Sequence, residues 1–160
     1  MRAFLALRSL LWTILLPGMI AGYIPWRFFG LANARITLTN PLDLLAILVI
    51  AAGVTLLGTC IWEFFKSRGT LSPLDPPKEL VVQGLYRYVR NPMYLAVSTI
   101  VLGEALLVRR AALLLYWAFF FTAANVFVLL YEEPTLRRQF GESYERYTRT
   151  VGRWLPRPPR

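Results

Sequence analysis

Histidine is absent from the chain and cysteine occurs once, at Cys60. The first absence excludes histidine-ligated zinc and haem sites and any Ser-His-Asp catalysis. Proton transfer would fall to Glu, Tyr, Lys, Arg or water. The second excludes an internal disulfide, and nothing in the chain requires an oxidising compartment. Charge is scarce as well. Asp, Glu, Lys and Arg make up 17% of residues against 56% hydrophobic ones, and they sit between long apolar runs, the membrane pattern rather than the globular one. Acidic residues are outnumbered 9 to 18 by basic ones, for a formal charge of +9. The basic residues flank the apolar runs, which points to the cytoplasmic side of a membrane and away from nucleic acid as a partner.

The 160 residues suit one domain, expected over 1–160. A helix needs roughly 20 apolar residues to cross the hydrocarbon core. Four segments come close, at about 3–24, 42–65, 92–108 and 111–131. The first is long for a signal peptide and has no clear small-x-small cleavage site, so it reads as a retained span. Its Gly18 and Gly22 have the spacing that lets another helix approach closely. Spans three and four are joined only through Arg109-Arg110 and must form a tight antiparallel hairpin. Alternation then puts the N-terminus, the 66–91 loop and the C-terminal tail on one side. That side carries fourteen Lys and Arg residues, and the other carries four, Arg27, Arg35, Arg109 and Arg110. The asymmetry makes the first side cytoplasmic.

Two cytoplasmic segments look like a site. The 66–91 loop is too long for a simple connector. It contains the turn chemistry of Ser72-Pro73 and Asp75-Pro76-Pro77, a short extended run at Leu80-Val81-Val82, and a cluster of Tyr86, Tyr88 and Arg90 that runs on to Tyr94 at the start of the next span. Asn91-Pro92 fits a helix start. The fourth span ends at Tyr131-Glu132-Glu133-Pro134, two adjacent carboxylates at a membrane exit. Beyond it, Leu136, Phe140, Tyr144, Tyr147 and Val151 form one stripe of a helix expected over 133–151, whose bland reading is an interfacial helix on anionic lipid. The hairpin should bring Tyr86, Arg90 and Tyr94 to face Glu132 and Glu133.

The stretch from Pro76 through Gly84-Leu85-Tyr86 to Arg90-Asn91-Pro92-Met93-Tyr94, together with Glu132-Glu133, Phe140-Gly141, Tyr144, Tyr147 and Trp154-Leu155-Pro156, resembles the signature of the isoprenylcysteine carboxyl methyltransferase and phospholipid methyltransferase superfamily. The likeness covers roughly 66–156. It implies an integral membrane enzyme that uses S-adenosyl-L-methionine without a Rossmann fold and requires no metal. It implies cofactor binding by Lys78, Glu79, Leu80, Val81, Tyr86, Asn91, Pro92, Met93, Tyr94 and Glu132, with Arg90 and Glu133 as the expected catalytic pair. A carboxylate at Glu132 suits the cofactor's ammonium, and aromatic rings suit adenine and the sulfonium. Two positions depart from the family pattern. The usual Arg-His-Pro reads Arg90-Asn91-Pro92, so this residue hydrogen-bonds without titrating. Val128 stands where the prenylcysteine enzymes place an arginine for the substrate carboxylate, which weakens a prenylcysteine acceptor.

The sequence therefore predicts an all-α, multi-pass membrane methyltransferase with four transmembrane helices. A cytoplasmic loop and C-terminal helix form its cofactor site, both termini are cytoplasmic, and the acceptor is lipophilic. Two other readings stand beside it: an NADPH-dependent membrane reductase of the sterol-reductase type, and a non-enzymatic membrane scaffold with a basic lipid-binding tail.

Overall fold

The computed structural model of the chain describes residues 15–66, 80 and 82–157. Every regular element among them is helical, and one isolated bridge pairs Val89 with Gly152. Helix α1 comprises residues 15–28, α2 is Pro41–Lys66, α3 is Pro92–Val108 and α4 is Ala111–Phe127. Two short helices follow, α5 at Glu133–Phe140 and α6 at Glu142–Thr150. Two of the described helical stretches are long and apolar enough to cross a membrane, Pro41–Glu63 and Ala111–Phe140, while Pro92–Val108 is a shorter apolar helix. The start of the first expected span lies outside the described residues.

Two prolines shape the long helices in the same way. A proline inside a helix donates no hydrogen bond and crowds the carbonyl four residues back. Just ahead of Pro25, α1 widens into a π turn at Met19–Tyr23, and the Ile24 N–H reaches back to the Met19 carbonyl. Just ahead of Pro134, the helix widens again at Val128–Glu132, and the Glu133 N–H reaches the Val128 carbonyl. The fourth helix consequently runs on from α4 into α5 instead of stopping near Tyr131. It does not run to 151 as one helix either. Gly141, at φ 51° and ψ −125°, breaks it between α5 and α6 because that backbone is readily adopted only without a Cβ.

The chain divides into two compact units. In the unit of Leu15–Leu57 and Met93–Ala124, buried Val101, Ala105 and Leu113 pack with Ile20, Phe29, Tyr116 and Trp117. Tyr116 donates its hydroxyl hydrogen to the Ile20 carbonyl at 2.9 Å, the group whose next π-type donor would be the N–H that Pro25 lacks. Trp117 Nε1 donates to Ser98 Oγ at 2.8 Å. The α3–α4 turn places Arg109 at φ 55°, and its guanidinium pairs with Asp43, which is 2% exposed and also accepts the Thr37 N–H at 2.9 Å.

Among the described residues, close helix approach occurs at Gly53 and Gly103, while an added Cβ at Gly18 or Gly22 meets none of them within 4 Å. A Cβ on Gly53 of α2 would lie 2.8 Å from the Ile100 backbone nitrogen of α3, and one on Gly103 would lie 2.9 Å from that of Ile50. The contact is reciprocal and antiparallel, so each helix supplies the notch the other fills. Gly53→Ala should therefore destabilise the protein by about 1–3 kcal/mol through overpacking, despite the better helix propensity of alanine. Thermal unfolding in detergent checks this against Gly18→Ala, and an unchanged Gly53→Ala midpoint would contradict the close contact.

Candidate functional site

The unit of Gly58–Pro92 and Asn125–Arg160 holds most of the residues singled out by sequence. Its centre is the stripe expected on the C-terminal helix. Tyr144, Tyr147 and Val151 are buried and pack with Leu80, Leu136 and Phe140. The stripe thus faces the protein's own core, which disfavours the bland alternative of an amphipathic helix lying on lipid. Leu80 is half-buried there, while Lys78, Glu79 and Val81 lie outside the described residues.

The segment 84–91 is stitched to the end of the chain. Gly84–Arg87 forms a 3₁₀ turn, and the Tyr147 hydroxyl donates to the Tyr86 carbonyl at 2.6 Å. The Arg90 N–H donates to the Gly152 carbonyl at 2.9 Å, next to the Val89–Gly152 bridge. Asn91, 6% exposed, donates through Nδ2 to the Arg153 carbonyl at 3.4 Å. Trp154 Nε1 donates to Asn125 Oδ1 at 2.9 Å. Neutral, hydrogen-bonding Asn91 thus has a structural partner where the family's usual residue titrates.

These contacts converge on Glu133, which is 5% exposed. Arg153 binds it in bidentate fashion, Nε to Oε1 at 2.6 Å and Nη2 to Oε2 at 2.9 Å. Arg90 Nη1 lies 3.2 Å from the same Oε1. Burial pushes the Glu133 carboxyl up. The hydrogen bond from Arg153 and the charges of Arg90, Arg153 and Arg137 outweigh it and hold the carboxyl below its usual range. Arg153 is raised, chiefly by that hydrogen bond. Burial raises the Tyr144 hydroxyl, and the Glu133 charge adds to the effect. Tyr147 is also raised by burial. The cluster therefore stays as a carboxylate with two cations and neutral tyrosines around neutral pH.

Arg90 is the unusual member. Its side chain is 9% exposed, and although Nη1 faces Glu133 Oε1 at 3.2 Å, neither Nε nor Nη1 makes a well-directed hydrogen bond among the described residues. A buried, unsatisfied guanidinium donor costs free energy unless something accepts from it. A separate cavity of about 440 Å³ is lined by Glu63, Val82, Gln83, Gly84 and Arg87. Gly84 has φ 54°, and a Cβ there would collide with the Glu63 carboxylate.

Of the other predicted residues, Glu132 is half-buried at the last position of the π turn and Pro92 is buried at the start of α3. Met93 and Tyr94 follow in the first turn of α3, in the other compact unit. Sequence reasoning missed Glu63 and Arg153. Glu63 carried a signal, since it is the first carboxylate after an uncharged run on a face otherwise rich in cations. Arg153 carried none, because its partner stands twenty residues earlier.

A sequence model described as phospholipid methyltransferase matches residues 41–143. The chain belongs to the phospholipid methyltransferase family. The match spans α2 through the first residues of α6, well over half of the chain, and it bears out the superfamily resemblance carried by the 84–94 and 132–133 motifs. The family is one of membrane-associated methyltransferases, and membership implies that class of reaction here. Within the family frame, the pairing of Glu133 to Arg153 adds a residue beyond the matched segment. No curated protein and no solved structure matches the chain.

Proposed function

We propose that the protein transfers a methyl group from S-adenosyl-L-methionine to a lipophilic acceptor held in the membrane. Family membership supports the reaction class, and buried Arg90, whose Nε and Nη1 make no well-directed hydrogen bond among the described residues, supports the place. The donor set suits the cofactor. Its carboxylate needs cationic donors, which Arg90 and Arg87 offer, and its ammonium needs a carboxylate, which Glu132 or Glu63 offers. Tyr86, Tyr94 and the 78–81 stretch complete the group, with Asn91, Pro92 and Met93 fixing the chain between them. The bound cofactor supplies an already activated methyl group on sulfonium. The protein's own work is alignment and water exclusion. Glu133, locked by Arg153, holds Arg90 in place for the cofactor's carboxylate. S-adenosyl-L-methionine should bind the detergent-purified protein in titration calorimetry and NADPH should not. The reverse result would favour the reductase reading, and binding of neither would favour the scaffold.

The same reading has four transmembrane helices with both termini and the cofactor site in the cytoplasm, on the charge asymmetry alone. Introduced cysteines at Ser72 and Ala34 test it. Position 34 should react with an impermeant reagent on intact cells, and reaction of position 72 instead would overturn the orientation.

A further inference from the structure

The α3–α4 turn and the loop after α1 line a second cavity, of about 240 Å³ and open to the surface, within the Leu15–Leu57 and Met93–Ala124 unit. Arg35, Arg109 and Arg110 all line it, with Asn33 between them. This unit contains four arginines and only two acidic residues, Asp43 and Glu104. Asp43 is already committed to Arg109 and to the Thr37 N–H. Among the described residues, Arg35 and Arg110 have no carboxylate partner. The cavity wall is shaped for one of them. Gly30 has φ 82°, and a Cβ there would lie 2.9 Å from Arg110 Nη1, so glycine lets the guanidinium lie flat against the backbone. With Arg109 paired to Asp43, Arg35 and Arg110 remain as two uncompensated cations at one small concavity, and a bound anion would relieve their repulsion.

Exposed apolar side chains lie close in sequence to its lining residues, Phe28 at 66% and Ile36 at 54% exposure. Arginines beside such side chains are a pairing that suits lipid headgroups at a membrane surface. We propose that this cavity binds the phosphate of a membrane lipid headgroup. Planar guanidinium groups match phosphate oxygens in paired hydrogen bonds. The cavity holds the volume of roughly eight waters at ~30 Å³ each, room for a headgroup phosphate and its hydration but not for a whole lipid. The proposal does not rest on the methyl-transfer reading. In the topology proposed above, the lipid would come from the leaflet opposite the cofactor site.

The test uses the full chain, purified and delipidated in a non-ionic detergent, with native mass spectrometry to titrate bound phosphatidylglycerol, diacylglycerol and inorganic phosphate. One phosphatidylglycerol should bind with preference, and Arg35→Gln/Arg110→Gln should weaken it by roughly tenfold or more. Arg146→Gln/Arg149→Gln, on exposed positions of α6, should leave the tightest site unchanged, and Arg110→Lys should keep part of the affinity. Matching thermal midpoints show that the variants fold. Equal retention by Arg35→Gln/Arg110→Gln, or an equal loss in the α6 variant, would place the lipid elsewhere and overturn the proposal. Diacylglycerol binding as tightly would remove the phosphate from it. Competition by inorganic phosphate at low millimolar concentration would make the site one for a free anion and not a lipid.

Discussion

Glu133→Ala is expected to cost the protein about 3–5 kcal/mol of stability, the usual penalty for removing one partner of a buried ion pair. The substitution leaves Arg90, nine-tenths buried and already short of acceptors, without its counter-charge. It also frees the bidentate grip of Arg153, and with it one tie between the chain end and α5. Arg153→Ala should cost less, about 1.5–3 kcal/mol for the lost charged hydrogen bonds, because Arg153 is 29% exposed and Glu133 keeps Arg90. Acid should act in the same direction. The folded-state carboxyl of Glu133 lies below its ordinary 4.5, so its contribution is fully present above that value and is lost as pH falls through the depressed one. Chemical unfolding in detergent measures all three. If Glu133→Ala matched the parent in stability while losing turnover, Glu133 would be a reacting group and not a positioning one.

Glu132→Gln should weaken S-adenosyl-L-methionine binding by roughly 10- to 150-fold, from a lost charge-assisted hydrogen bond of ~1.5–3 kcal/mol at ~1.4 kcal/mol per decade. Glu132 and Glu133 are neighbours with different surroundings. Glu133 is buried between arginines, and Glu132 is half-buried at the end of the π turn. Glutamine is nearly isosteric, so folding should survive. Glu142→Gln, on the exposed start of α6, is the control and should change little. Tyr86→Phe should fall between the two if its hydroxyl meets the cofactor. The readout is cofactor affinity with thermal midpoints alongside. An unaltered affinity in Glu132→Gln would remove this residue from the pocket.

The sequence made the helical class and the long apolar runs legible because each has a direct periodic or compositional trace. The tyrosine stripe was legible too, and only its partner was left open. A helical face declares that it will be buried without declaring against what. The two π turns were not legible. Proline reads as a helix end, and only the structure shows a helix that widens and continues past Pro134. Gly141 carried a stop signal that the regular spacing of Phe140 and Tyr144 overrode. The Arg90–Glu133 proximity followed from the hairpin expectation and the family motif. The Arg153 clamp did not, since pairings across the C-terminal segment leave no local pattern. The glycine contacts that matter, Gly53 and Gly103, lack the GxxxG spacing that drew attention to Gly18 and Gly22.

The backbone contact between α2 and α3 at those two glycines bears on how a greasy molecule travels. Where Gly53 meets Ile100 and Gly103 meets Ile50, neither helix leaves the width of a methylene chain between them. Parting them would break two interlocked notches at once, so this seam is shut to lateral diffusion from the bilayer. Under the proposed function, the acceptor's apolar tail would enter along another flank of the helices. Mutations that widen or narrow acceptor choice should accordingly gather away from the α2–α3 seam.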